Sequence, residues 1–262
     1  MKDITLRAIE TLKEVDVVAA EDTRHTLKLL NHLEIKKPLV SYYKQNERAK
    51  TAVLIEKILG GENVALVSDA GTPGISDPGG EIIRSAITNN IKIIPIPGAC
   101  ALINALVASG LCTKEFSFIG FLPQNKKEKK EKLEKYKALK QTLIFYEAPH
   151  KLVNTLEVMR DVLGDREAVL AKEITKIHEE FIRGKISAIL AGCEEPKGEY
   201  VVMVEGSLKD ETDIQKELMK SLTLEKHMDI YLNQGMDKKE AIKQIAKDRG
   251  VQKNEIYQYF LR

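Results

Sequence analysis

Apolar residues in the first part of the chain recur in two alternating periods. Ile4, Ala8, Ile9, Leu12 and Val15 fall at helical spacing, which predicts a helix over residues 3–15 with Asp3 as its N-cap. Residues 16–20, 38–43, Val64–Val67 and 92–96 are short apolar runs of strand length. Helical patterns separate them, running from Thr23 through Leu33, over Glu47–Leu59, over residues 81–88, and from Ala101 to about Ser109. Strand–helix alternation at this pitch predicts a mostly parallel sheet with helices on both faces. Within it, Val64–Val67 reads as a strand buried on both sides.

A boundary falls at residues 110–114, so residues 1–111 form a first α/β domain. The alternation continues less regularly to residue 208, giving a second α/β domain over 112–208. Its expected strands are 116–122, 142–146, 167–173, 180–183 and 199–204, and its expected helices are 126–140, Pro149–Leu163 and Ile186–Ala191. After Asp210-Glu211-Thr212-Asp213 the pattern becomes continuously helical, so 212–262 reads as a small all-α extension. Ala241, Ile242, Ile245 and Ala246 are apolar at 3.6 spacing, and Gly250 stands where a helix-turn-helix turns. A helical cap and a nucleic-acid contact both fit that extension. The seven Lys or Arg against three acids from Lys238 onward favour the contact.

Composition narrows the class without naming a chemistry. The 262 residues are 43% hydrophobic and 31% charged, an ordinary globular balance, and the net charge of +2 does not mark a nucleic-acid binder. No run of 18 apolar residues is present, and Met1-Lys2-Asp3 lacks the apolar region of a signal peptide, so a cytoplasmic protein is expected. Cys100, Cys112 and Cys193 form no C-x-x-C pair and have no histidine at zinc spacing. Charge is concentrated locally instead. Residues 126–140 hold eight lysines against Glu128, Glu131 and Glu134, a surplus of five. Some pair internally at i, i+4, but the lysines left over, Lys126, Lys127, Lys129 and Lys130 foremost, suit RNA phosphate contacts.

Candidate chemistry collects at strand ends. After Val64–Val67 comes S-D-A-G-T-P-G-I-S-D-P-G-G, with four glycines and two prolines in ten residues. A stiff, side-chain-poor loop at the carboxyl end of a buried strand is where open α/β sheets bind ligands. Similar loops lie at residues 97–101, 146–149 and 172–175. No P-loop, G-x-G-x-x-G or H-E-x-x-H occurs, which removes the usual signals for nucleotide hydrolysis, dinucleotide binding and zinc hydrolysis. At another strand end, Glu21-Asp22-Thr23-Arg24 suits either proton removal or a salt-bridged helix N-cap, and spacing does not decide between them.

Several of these runs resemble one family. They are A-A-E-D-T-R-H-T from Ala19, S-D-A-G-T-P-G-I-S-D-P-G from Ser68, P-G-A from Pro97, G-F-L-P from Gly120 and F-Y-E-A-P-H from Phe145. Together they resemble the small-subunit ribosomal RNA cytidine-2'-O-methyltransferases of the tetrapyrrole-methylase superfamily. The resemblance covers nearly the whole chain. It implies two α/β domains with a cleft between them, S-adenosylmethionine as cofactor, a homodimer, and methylation of a cytidine ribose in 16S RNA of the small ribosomal subunit.

It also implies roles. Asp69, Ala70, Gly71, Thr72, Pro73 and Ile75 would line the methionine end of the cofactor, and Gly98, Ala99, Cys100 and Ala101 would supply backbone groups to it. Tyr146, Glu147 and the Glu173-Ile174-Thr175 turn would frame the adenosine. Glu21 would act as base, with Asp22 second and Arg24 orienting ribose or phosphate. Methyl transfer from a sulfonium needs no metal. Members of the family usually begin about a dozen residues earlier, with a strand of the first sheet and a glycine-bearing loop, and that strand is expected to be missing here. Two other readings fit the same loops: a methyltransferase of the superfamily acting on a tetrapyrrole or a protein side chain, and a non-catalytic ligand sensor with a DNA-binding helix-turn-helix.

Overall fold

The computed structural model describes residues 2–208, 219 and 222–260. Asp210 to Asp213, where the helical pattern was expected to begin, and the remainder of 209–218 lie outside the described residues, as do Met1, 220, 221, 261 and 262. The chain divides into two compact units, residues 1–110 with 174–179, and residues 111–173 with 180–262. The C-terminal helices thus count with the second unit, and Ile174 to Glu179 count with the first.

The first unit is a three-stranded parallel sheet in the order β2-β1-β3, from β1 (Val17–Ala20), β2 (Leu39–Ser41) and β3 (Val64–Val67). Side chains alternate across it, as the two-residue period of a strand requires. Val18, Leu39, Ala65 and Val67 meet Leu12 of α1 (Leu6–Glu14) and Leu30 of α2 (Thr23–His32). Ala19, Val40, Val64 and Leu66 meet Leu54 and Ile55 of α3 (Glu47–Leu59) and Ile82 and Ala86 of α4 (Gly80–Thr88). Helices therefore cover both faces. The N-cap of α1 is Thr5, whose hydroxyl accepts from Ala8 N at 3.2 Å, and not Asp3.

Two expectations fail at one edge of this sheet. Residues 92–96 form no regular element and join no ladder, and Ile93 and Ile94 are exposed. β3 is half-buried instead of fully buried. The reasons are the same: β3 pairs only with β1, so its other edge has no strand beside it among the described residues. After this stretch, α5 (Ala101–Ser109) runs to Gly110, which closes the helix in the left-handed conformation at φ 86°.

The second unit is a mixed sheet in the order β4-β5-β8-β6-β7, from β4 (Phe116–Phe121), β5 (Thr142–Glu147), β6 (Glu167–Lys172), β7 (Glu180–Lys185) and β8 (Tyr200–Val204). Only β4 and β5 are parallel. Leu143, Phe145, Leu170, Val202 and Val204 pack against α7 (Pro149–Leu163), α8 (Ile186–Ala191) and Leu133 of α6 (Lys126–Glu134). α6 ends at Glu134, short of the expected 140. Among the described residues three further helices follow, α9 (Leu224–Asn233), α10 (Lys238–Arg249) and α11 (Lys253–Tyr259), with a core of their own around Met228, Tyr231, Ile242, Ile245 and Ile256.

The end of β8 passes so close to the start of β5 that only glycine fits. A Cβ on Gly206 would stand 1.8 Å from Lys140 O and 2.1 Å from its carbonyl carbon, both backbone atoms that cannot swing away. Gly206→Ala is expected to lower the unfolding free energy by about 3 kcal/mol or more. Urea unfolding of the purified protein checks this, and an unshifted midpoint would contradict it.

Candidate active site

The first unit brings two strand-end loops together around carboxylates. β1 ends at Ala20, and Glu21 N donates back to Val67 O at the end of β3 (3.3 Å). Asp69 N then donates to Glu21 Oε2 (3.5 Å), while Asp22 N donates to Asp69 Oδ1 (3.2 Å). Each loop thus fixes the other's acid through a backbone N–H. His25 Nδ1 lies 3.4 Å from Asp69 Oδ2. Burial lifts the Glu21 carboxyl above its ordinary value, the Asp69 N–H opposes this, and the charges of Asp77 and Asp69 add to it. Asp77 is raised as well, chiefly by burial, with the Ser68 hydroxyl acting against it.

Asp22 is differently placed. It is the N-cap of α2: its Oδ1 accepts from Arg24 N (2.8 Å) and Arg24 Nε (3.0 Å), and its Oδ2 from Arg24 Nη2 (2.6 Å). The Arg24 side chain, with its backbone N–H, holds this carboxyl far below the usual range. A carboxylate so strongly solvated by donors is a poor base. For Asp22 and Arg24 the N-cap alternative is the one the geometry realises, and of the two acids in this run Glu21 keeps the carboxylate suited to taking a proton.

The glycine loop beyond Asp69 folds on itself and against the loop before α5. Gly79 has φ 147°, and a Cβ there would meet Leu66 Cδ2 at 2.9 Å and Gly74 Cα at 3.2 Å. Glu47 Oε1 accepts from Gly79 N (2.8 Å), and Tyr42 Oη accepts from Ile82 N (3.2 Å), so α3 and β2 pin the loop where α4 starts. At its near end Thr72 Oγ1 donates to Ala99 O (3.2 Å). Gly71, at φ 72°, would bring a Cβ to 3.4 Å from the same carbonyl, and Gly98 would bring one to 3.9 Å from Thr72 Oγ1. Asp69, Ala70, Gly71, Thr72, Ile75, Gly98 and Ala101 are exposed, and Pro73, Ala99 and Cys100 are half-buried. Cys100, the N-cap of α5, makes no side-chain cap, which leaves the first N–H groups of the helix directed at whatever lies before it.

The candidates of the second unit separate into packing and surface. The Tyr146 ring makes edge contacts with Phe118 (4.9 Å between centroids) and Phe121 (5.7 Å). Glu147 is buried, its Oε2 accepting from Thr155 Oγ1 (2.6 Å) and its Oε1 from Ala148 N (2.9 Å). Lys129 is also buried, at 2% exposure, and donates to Thr155 Oγ1 (2.8 Å) and Asn154 Oδ1 (2.9 Å). Burial lowers its pKa, and the nearby Glu147 charge resists the fall. Glu147 is therefore spent on a buried relay from α6 to α7, and Lys129 faces away from any phosphate. Lys126, Lys127 and Lys130 are exposed. Glu173 and Thr175 both have positive φ, 48° and 64°, a strained turn for residues with a Cβ. Glu173 accepts from Glu199 N (2.8 Å) across Gly198, and Ile174 and Thr175 count with the first unit.

Periodicity gives no sign of Glu47, Asp77 or His25 as parts of this arrangement. Asp77 stands in the glycine loop, where an acid among small residues is a visible signal, whereas Glu47 reads as an ordinary first-turn helix acid.

At the carboxyl edge of a parallel sheet the glycine loop after β3 meets the loop before α5, beside the fixed acid at the end of β1, the place where open α/β sheets bind their ligands. Solved structures with this fold include the methyltransferase CobJ (TM-score 0.58, 16% identity, covering 79% of this chain and 89% of that one). Diphthine synthase shares it at TM-score 0.59 and 16% identity, covering 78% of this chain and 85% of that one. Residues 1–190 match the family described as Tetrapyrrole (Corrin/Porphyrin) Methylases. Among its curated relatives, the Ribosomal RNA small subunit methyltransferase I of Bacillus subtilis (strain 168) is 48% identical over 259 residues, 98% of this chain and 89% of that protein. The protein of the same name from Escherichia coli O157:H7 is 41% identical over 266 residues, 100% of this chain and 91% of that protein. The chain belongs to the tetrapyrrole methylase family.

The buried relay has a direct test. Lys129→Ala leaves Glu147 and Thr155 without their cationic partner and should lower stability by about 3 kcal/mol. Lys126→Ala and Lys130→Ala should stay within about 0.5 kcal/mol of the wild type. Denaturant unfolding of the three variants decides whether Lys129 is structural.

Proposed function

We propose that this protein is an S-adenosylmethionine-dependent methyltransferase acting on small-subunit ribosomal RNA, at the 2'-hydroxyl of a cytidine. One observation carries the reading: a partly buried carboxyl with a raised pKa, Glu21, is tied by Asp69 N to the start of the glycine loop. The names of relatives at 48% and 41% identity over almost the whole chain support the RNA substrate.

The residues fit the cofactor. Gly71 and Gly98 stand where the two loops meet and keep that junction free of side chains, and the uncapped start of α5 suits a carboxylate. When bound, the sulfonium supplies a methyl group electrophilic enough to need no metal. The chain's own work is to position and to move one proton. Asp69 to Ile75 and Gly98 to Ala101 hold the cofactor through backbone groups. Glu21 accepts the proton of the ribose hydroxyl as its oxygen attacks, and Asp69 N keeps that carboxylate aimed. Arg24, 86% exposed at its side chain, orients phosphate while Asp22 fixes its direction. Lys126, Lys127 and Lys130 add sequence-independent phosphate contacts.

Glu21→Gln should lower kcat on unmethylated small subunits by about 10²- to 10⁴-fold while calorimetric cofactor affinity is kept. In the wild type, kcat should rise with pH through a midpoint above the ordinary glutamate value of 4.5. The sign for stability runs the other way. A carboxyl with a raised folded pKa disfavours the fold once ionised, so Glu21→Gln should melt no lower than the wild type at neutral pH. An active Glu21→Gln enzyme would remove the base from this position. Gly71→Val should abolish cofactor binding in a protein that still folds, and unchanged affinity would move the cofactor elsewhere.

A further inference from the structure

The C-terminal helices offer a surface that the proposed chemistry does not use. α10 and α11 are joined by Gly250, at φ 69°, and two further residues, a helix-turn-helix connection. Ala241, Ile242, Ile245 and Ala246 bury one side of α10. Lys239, Lys243 and Lys247, at i, i+4 and i+8, form one exposed stripe on its far side.

What distinguishes this stripe from an ordinary solvated helix is the fate of the acids. Such helices neutralise their lysines with glutamates one turn away. In α10 both acids are engaged elsewhere. Glu240 closes a capping box with Asp237. Asp248 accepts from Tyr231 Oη and from Gln244 Nε2 (2.9 Å), and faces the buried His227 at 3.5 Å. The one arginine of α10 is also turned inward, with Arg249 Nε donating to His227 Nδ1 (3.3 Å) and its Nη2 to Leu222 O. No ion pair reaches Lys239, Lys243 or Lys247 among the described residues.

α11 repeats the pattern in part. It buries Ile256 and turns Tyr259 toward Glu225 of α9. Lys253, Asn254, Tyr257 and Gln258 are exposed along one arc, and the one acid of α11, the exposed Glu255, lies at its margin beside Gln258. A cation, two amides that both donate and accept, and an aromatic ring are the groups that read sugar hydroxyls and unstacked bases.

We propose that α10 and α11 form a second RNA-docking surface: Lys239, Lys243 and Lys247 bind phosphates, and Asn254, Tyr257 and Gln258 contact ribose and base. The choice of RNA over DNA rests on the substrate proposed above. The helices hold the small subunit at a place of their own, so that docking and methyl transfer are separable.

The test measures binding of the full chain to unmethylated small ribosomal subunits between 50 and 200 mM potassium chloride. The Lys239→Gln/Lys243→Gln/Lys247→Gln variant should bind more weakly, with a log–log salt slope shallower by about 2 to 3. The same three positions changed to Arg should keep the wild-type slope. Asn254→Ala/Gln258→Ala should weaken binding at an unchanged slope, because amides release no counterions. Melting temperature and cofactor affinity serve as folding controls. An unaltered slope in the triple Gln variant would overturn the proposal, and so would equal affinity for duplex DNA of the same length. Loss of methyl transfer with the docking slopes intact would instead sink the function proposed above and leave this surface standing.

Discussion

The first unit depends on a contact that admits no side chain. Gly79 sits against Leu66 and Gly74 at distances where a Cβ would have to stand 2.9 to 3.3 Å from its neighbours, in a backbone conformation other residues avoid. That contact folds the glycine loop back onto the end of β3. Glu47 and Tyr42, reaching in from α3 and β2, satisfy the backbone N–H groups of Gly79 and Ile82 that the sharp turn exposes. The loop is therefore stiff before any ligand arrives. Its stiffness is what allows Asp69 to hold Glu21 in one orientation, and a preorganised acid is worth more to catalysis than a mobile one.

In the second unit the corresponding organiser is charge. Lys129, Thr155 and Glu147 form one line of hydrogen bonds from α6 through α7 to the end of β5. Burying both charges is tolerable because each has donors or acceptors at close range. The arrangement also fixes which side of α6 faces outward. Leu133 and Lys129, one turn apart, point in, and Lys126, Lys127 and Lys130 point out.

Much of this was legible in the residues, and the failures share a cause. The glycine loop could be read because glycine and proline act through the local backbone. Pro149–Leu163 and Ile186–Ala191 came out with the expected bounds, since their periodicity and their caps agree. Residues 92–96 have strand composition but no ladder, because pairing is a property of the neighbour as much as of the strand. Lys129 looked like its three exposed neighbours, because nothing local distinguishes a lysine whose buried partners, Asn154 and Thr155, lie more than twenty residues away in sequence. The four-residue run at Glu21 is the instructive case. Its two acids are adjacent, yet one became a helix cap and the other a candidate base, a division set by Arg24 on one side and Asp69 on the other.

The strand order of the second unit bears on when it can fold. β8 is the last strand of that sheet to be synthesised, yet it lies at the centre, hydrogen-bonded to β5 on one side and β6 on the other. Until residues 200–204 leave the ribosome, the chain can make only two separate ribbons, β4 with β5 and β6 with β7, each with an open edge. Closure waits on contacts spanning about sixty residues in one direction and thirty in the other, a slow, non-local step. A chain built this way holds its second unit incomplete through most of its own synthesis. Termination between β7 and β8 leaves two ribbons with open edges instead of one closed sheet.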